Sequence, residues 1–348
     1  MPPVRFGRRY IRLKGPVKLR IDAKSFAVTA ILLGAALALA VFGLMIGSLR
    51  LGVPEVLAAL FGDAAKMTRT VVVEWRLPRV LAAMVFGAAL AVSGAIFQSL
   101  TRNPLGSPDI IGFTSGSYTG ALIAMLVAGS TSFIGVASGA LIGGLATAML
   151  IYLLAFRKGT QGFRLIIVGV AISTILSSAN AVLLLRSKAE VALTAAAWGV
   201  GSLNGISWEQ SLPAMLTVLL LLVCAAAMGR PLRAMELGED AAKAHGIRVE
   251  RTRLALILIA VVLTAAPTAV AGPISFVALA APQIALRLTK SARSFAPVAA
   301  MGAFIMLGAD ILAQRVVPGT LLPVGVVTLS LGGLYLTGVL FRQARSAS

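Results

Sequence analysis

The chain has 348 residues, 58% of them apolar and only 12% charged, with a mean hydropathy of +0.95 and a formal net charge of +19. Soluble domains carry about 25% charged residues, so half that charge at this hydropathy excludes an ordinary soluble domain and specifies a polytopic membrane protein. The Lys and Arg excess sits in blocks between apolar runs, which argues against a nucleic-acid partner, and one Cys with one His excludes a disulfide framework or a Cys/His metal site.

Residues 1–24 carry eight basic residues: Arg5, Arg8, Arg9, Arg12, Lys14, Lys18, Arg20 and Lys24. The apolar run 26–47 follows. It is long enough for the roughly 20 residues that cross a bilayer and longer than a secretory-signal core. It is expected to be a retained first span behind a basic tail, 1–25, that rests on anionic lipid. Further apolar runs fall at 80–100, 110–128, 132–156, 163–185, 211–229, 254–271, 274–289, 296–314 and 324–341. They predict an all-α membrane domain, 26–342, of about ten transmembrane helices, with a short tail at 343–348. An even number of spans puts both termini on one side. That side then holds 23 of the 31 basic residues, which makes it the cytoplasmic one.

Arg76-Leu77-Pro78-Arg79 introduces the second run, and the turn Arg102-Asn103-Pro104-Leu105-Gly106-Ser107-Pro108-Asp109 leads into the third. Irregular backbone at a membrane boundary must be held by protein or line a cavity. Two arginines at the mouth of a span either anchor at lipid headgroups or meet a partner. Gly112, Gly116 and Gly120, and then Gly139 and Gly143, recur every four residues, a spacing that lets helices approach closely. The longest polar insertions are expected at 48–77, 187–210 and 230–253. In the last, Glu236, Glu239, Asp240 and Glu250 stand beside six basic residues, and Gly238 and Gly246 divide the segment into short helical pieces. Spacing alone leaves open a solvated loop and a docking element.

The eighth run is bracketed by Pro273 and Pro282. It reads as a broken helix bordering a pathway or as a Pro-kinked packing helix. Asp310 is the one acid well inside a predicted span. It is expected to pair with Arg315 or to cap a neighbouring helix, since a proton relay would need a His or second carboxylate beside it. Gln98 and Asn180 either line a pore or bond across helices. Phosphate cradling needs the pattern G-x-x-x-x-G-K-[ST]. Neither Lys24-Ser25 nor Lys290-Ser291 follows a Gly, so any nucleotide site belongs to another chain.

The series RLPRVLAA, GAALAVSGAIFQ, RNPLGSPDIIG, LGEDAAKAHG, AGPISFVALAAPQIALRL and LPVGVVTLSLGG resembles, in order and over about residues 35–341, the ten-helix permease family of iron-siderophore and vitamin B12 ABC importers (FecCD type). EWRLPRV, the GAIFQSL and RNPLGSPDIIGF pair, LTAAAWGVGSLNG and AGPISF look most like its ferric-enterobactin-type catecholate members. The resemblance implies a type II ABC importer permease fold in the inner membrane, without catalytic residues. It implies pairing with a different but homologous permease rather than with itself. Two ATP-binding cassette subunits would hold the ATP and Mg, leaving no cofactor on this chain, and a periplasmic or lipid-anchored siderophore-binding protein would dock above.

The resemblance also implies site residues. Arg76 and Arg79 match arginines that pair with acids on the binding protein. The family's third such arginine aligns with Gln314, which leaves Arg315 as an adjacent substitute. Asn103 and Leu105 match a cytoplasmic gate. The second gate strand, Gly159-Thr160-Gln161-Gly162-Phe163, departs from the small hydroxylated pattern of the B12 member, so no gate residue is assigned there. The segment 232–247, with Leu237, Gly238, Glu239, Ala241 and Gly246, matches the coupling helices that meet the ATPase. Vitamin B12 or haem is the alternative cargo. A proton-coupled transporter would instead need an essential Asp310 and no ATPase, and an interaction scaffold would show no uptake defect on deletion.

Overall fold

The computed structural model describes residues 10–13, 19–47, 49–62, 64–155, 162–290, 294–317 and 319–347. Arg5, Arg8, Arg9, Lys14, Lys18, Arg157, Lys158, residues 159–161 of the second gate segment, and Arg293 lie outside them. A short antiparallel hairpin, β1 (Tyr10–Leu13) with β2 (Leu19–Asp22), precedes the helices. Asp22 then caps α1 (Ala23–Met45) by accepting from the Lys24 amide.

The second span is longer than the pattern predicts. Arg76 to Arg79 do not form its mouth. They lie inside a continuous rod made of α3 (Lys66–Arg69), a π-helical stretch (Thr70–Arg76) and α4 (Leu77–Thr101). At 36 residues the rod is about 54 Å long, well beyond a hydrocarbon core of about 30 Å. Pro78 explains the wide turns, because its ring crowds the preceding α-helical turn and it has no amide to donate. The Leu77 amide reaches back five residues to the Val72 carbonyl, and the Trp208 indole takes the Val73 carbonyl at 2.8 Å.

The expected polar insertion 48–77 also contains α2 (Val53–Phe61), entered at Pro54 and closed by Gly62 in the left-handed region. The chain continues through α5 (Pro108–Ile111), α6 (Phe113–Leu122) with a π-helical end (Ile123–Val127), α7 (Phe133–Ala155) and α8 (Gly162–Leu185). A short helix, α9 (Ala189–Trp198), occupies the expected insertion 187–210. Then come α10 (Trp208–Glu236), α11 (Glu239–Ala244), α12 (Val249–Ala271), α13 (Val277–Thr289), α14 (Ala296–Ala313) and α15 (Val324–Ala347). Among the described residues seven helices are long and apolar enough to cross a membrane, and three shorter apolar ones, Phe113–Val127, Val277–Thr289 and Val324–Gly338, complete the ten expected runs.

The rod containing α4 is the hub, with 83% of its apolar window buried against 17% for α8 and for α10. It packs on α1, α10, α12, α13 and α14. Small residues make this possible. Gly87 and Gly302 let α4 and α14 meet backbone to backbone, and Gly116 and Gly120 of α6 do the same with Gly139 and Gly143 of α7. Pro282 lies inside α13 and has no amide to donate to the Ala278 carbonyl, and Gly94 of α4 comes up against that carbonyl. The eighth run is thus a short helix divided from α12 by the irregular stretch 272–275, which Gly272 opens at φ 74°, and joined to α4 by close packing.

Candidate functional site

The residues singled out above fall at opposite ends of α4. At its start, the Arg76 guanidinium donates to the Leu44 carbonyl at 2.7 Å and the Leu49 carbonyl at 2.6 Å, which fastens the loop after α1 to the rod. Arg79, one turn on, grips Asp310 of α14 bidentately. Its Nη2 is 2.8 Å from Oδ1 and its Nε 2.9 Å from Oδ2, with the Asp310 side chain 1% exposed. Gln314 completes the site by donating to Asp310 Oδ2 at 3.0 Å.

The expected Asp310–Arg315 pair does not form. Arg315 is exposed beyond the end of α14 and faces a shallow hollow shared with Arg50 and Phe42. Five residues on from Asp310 is about 140° round a helix, whereas α4 lies directly against the Asp310 face. Arg79 and Asp310 are 231 positions apart, a separation that gives a sequence pattern no local signal. Asp310 in an ion pair with a third donor is a buried salt bridge with its partners satisfied.

At the other end of α4, the Asn103–Leu105 turn is closed by the Asn103 carboxamide, which accepts from the Leu105 amide at 2.9 Å. Leu105 is 52% exposed. Arg102, which the sequence offered only as one more basic residue, takes a left-handed conformation at the end of α4 and donates from Nη2 to the Met235 carbonyl at 3.1 Å. That contact brings the turn against the last turn of α10. Gln98 bonds across helices, to the Leu279 carbonyl at 3.1 Å and to Gln283 at 2.7 Å. The Asn180 side chain is buried, and its Oδ1 has no partner among the described residues.

Beyond Met235 the segment 236–249 folds as two turns around α11. Gly238 adopts φ 126° and ψ 151°, and Gly246 a φ of 78°. Both conformations are open to glycine and strained for other residues. Glu239 pairs with the buried Arg253 of α12, which also holds Glu250 at 3.1 Å, so the start of α11 is pinned. Ala242 tucks in against Met235 and Val249. Ala241 is half-buried and Leu237 is 80% exposed, an apolar side chain presented at the tip of the molecule. A cavity of about 1320 Å³ opens beside these elements, walled by Gln98, Arg102 and Asn103, by Leu222 and Arg230 of α10, and by Gln283 of α13.

Comparison with known proteins matches residues 28–342 to the FecCD transport family. The chain is 48% identical over 325 residues to the ferric enterobactin transport system permease protein FepG of Escherichia coli (strain K12), covering 93% of this chain and 98% of that one. It is 35% identical to the hemin transport system permease protein HmuU of Yersinia pestis, over 78% of this chain and 84% of that one. The solved inward-facing structure of a metal-chelate type ABC transporter superposes with a TM-score of 0.81 at 28% identity, over 91% of this chain and 99% of that one. The family match runs through all ten apolar helices, so this multi-pass membrane protein belongs to the FecCD transport family.

Proposed function

We propose that the chain is the transmembrane permease subunit of an ATP-binding cassette importer that carries a ferric siderophore of the catecholate, enterobactin-like class across the cytoplasmic membrane. The observation that carries this reading is 48% identity, over 93% of the chain, to a permease named for ferric enterobactin. The chain works with a separate ATPase, which holds ATP and Mg, and with a binding protein. A second, homologous permease completes the pathway. Both termini face the cytoplasm, consistent with the side that holds most basic residues.

In this reading Arg76, Arg79 and Arg315 form the face that meets acidic groups of the binding protein. Arg315 offers an exposed guanidinium, and Arg76 and Arg79 are already held in place by carbonyls and by Asp310. Asn103 and Leu105 form a cytoplasmic gate, with Pro104 stiffening the turn. Leu237, Gly238, Glu239, Ala241 and Gly246 shape the tip that docks on the ATPase, where exposed Leu237 supplies the apolar contact.

Co-purification of the tagged chain in mild detergent, followed by vanadate-sensitive ATPase measurement, tests the reading. A cassette ATPase and a second permease should come with it, and an iron-loaded binding protein should stimulate hydrolysis. Reconstituted vesicles should take up a ferric catecholate and reject hemin and vitamin B12. A chain that transports alone, without ATP, and loses uptake in Asp310→Asn would overturn the proposal.

A further inference from the structure

The turn 102–109 is gripped at both ends by side chains that no gate or docking role uses. At one end Arg102 holds the Met235 carbonyl. Met235 is packed with Ala242 of α11 and Val249 of α12, and Leu100 of α4 lies against the same cluster. Displacement of α11 therefore reaches Arg102 through packed atoms and one hydrogen bond.

At the other end Asp109 Oδ2 accepts from the Phe276 amide at 3.2 Å, while its Oδ1 is buried with no partner among the described residues. Phe276 is the residue before α13 and sits at φ 71°, ψ −26°. A bulky side chain at positive φ is an outlier that persists only where its surroundings impose it. Two surroundings do so here. The Asp109 carboxylate fixes the amide at the start of α13, where the helix dipole favours negative charge. The Phe276 ring lies in a notch over Gly332 of α15, a position where any β-carbon would collide with the ring. The large cavity is walled by the first part of the turn, at Arg102 to Pro104, and by the second half of α13, at Pro282, Gln283 and Leu286. The far end of the linkage and the body of α13 thus border the same empty space.

We infer that the turn 102–109 is a two-ended linkage, with Asp109 a positioning residue that passes movement of the coupling segment to α13 and α15 by holding Phe276 in its strained conformation. The inference rests on the importer reading above. Strained residues concentrate at switch regions because release of the strain belongs to the movement. Here release of the Asp109 grip lets Phe276 relax and its ring leave the Gly332 notch.

The test uses the whole complex in proteoliposomes with its binding protein, reading uptake and ATP hydrolysis in the same preparation. Coupling between sites spans about 5–150-fold, so Asp109→Ala is expected to lower uptake per ATP about tenfold while hydrolysis stays within about twofold. Asp109→Asn keeps an acceptor and should recover most of the ratio. Phe276→Gly removes the strain and the ring together and should uncouple without loss of assembly. Arg102→Ala should uncouple as well, and its combination with Asp109→Ala should be no worse than the poorer single variant, as two grips in series require. Uptake and hydrolysis falling in parallel, or a ratio unchanged in all variants, would overturn the linkage. A wild-type complex without ATP-driven uptake would instead overturn the importer reading itself.

Discussion

Asp310 ties α14 to α4 through a single buried carboxylate. Its carboxylate is buried among Arg79 and Gln314, and removing one partner of a buried pair costs about 3–5 kcal/mol. Asp310→Ala should therefore lower the thermal unfolding temperature in detergent markedly. The double change Arg79→Met with Asp310→Leu should restore most of the loss, because an apolar pair of similar volume leaves no charge stranded. Binding-protein affinity should stay low in that double variant if Arg79 belongs to the docking face. Arg315→Ala should leave stability unchanged and weaken docking mainly at low salt, as an exposed rim charge does. Sequence reading located Asp310 as an intramembrane acid and misassigned its partner. Nearness in sequence pointed to Arg315, whereas the helical turn aims Asp310 at α4. Arg102 and Asp109 were visible only as members of a polar turn, because each acts on a backbone atom, Met235 O or Phe276 N, that has no side-chain signature.

Elements were more legible where apolar length decides them. All ten runs are helices, but the short pieces α2, α3 and α9 were read as polar insertions, since none is long enough to declare itself by hydropathy. Pro54 and Gly62 bounding α2 were the available signal. The length of the Arg76 rod was hidden because Pro78 looks like a helix start, and a π-helical stretch accommodates it instead. Close packing between elements gives a sharp prediction. Gly94→Ala drives a methyl into the Ala278 carbonyl and should cost about 1–3 kcal/mol, as overpacking does. Gly333→Ala meets nothing within 4 Å and should be neutral or stabilising by up to about 1 kcal/mol. Denaturation of the two variants side by side separates the cases. At the tip of α10, Leu237→Ser removes an apolar side chain worth about 1.5–3 kcal/mol when buried in an interface. Association with the ATPase should fall at least tenfold, read by titration of the purified subunits.

Across the whole molecule the charge distribution predicts an orientation that can be tested directly. Leu237 and Arg315 lie beyond opposite ends of the helices that α4 organises. With Cys224 replaced by Ala, Arg315→Cys should react with a membrane-impermeant thiol reagent on intact spheroplasts. Leu237→Cys should react only after permeabilisation. The opposite pattern would reverse the topology and, with it, the assignment of docking and coupling faces. The gradient of burial from α4 outward adds that damage should be graded. Substitutions on α4 disturb every helix packed on it, whereas most of α8 and α10 faces outward.

The π-helical stretch Thr70–Arg76 has one more consequence. A wide turn stores a residue beyond what α geometry needs, which makes it a buffer for chain length. Loss of one amino acid there lets the backbone contract to an ordinary helix while α3 and α4 keep their facing, at the expense of the carbonyl that Trp208 uses. Loss of one amino acid inside α4 instead turns everything beyond it by about 100°, carrying the interhelical faces of Gly94 and Gln98 away from their partners. Insertions and deletions tolerated through evolution should therefore gather upstream of Arg76, and a deletion scan scored by folded yield would map that boundary.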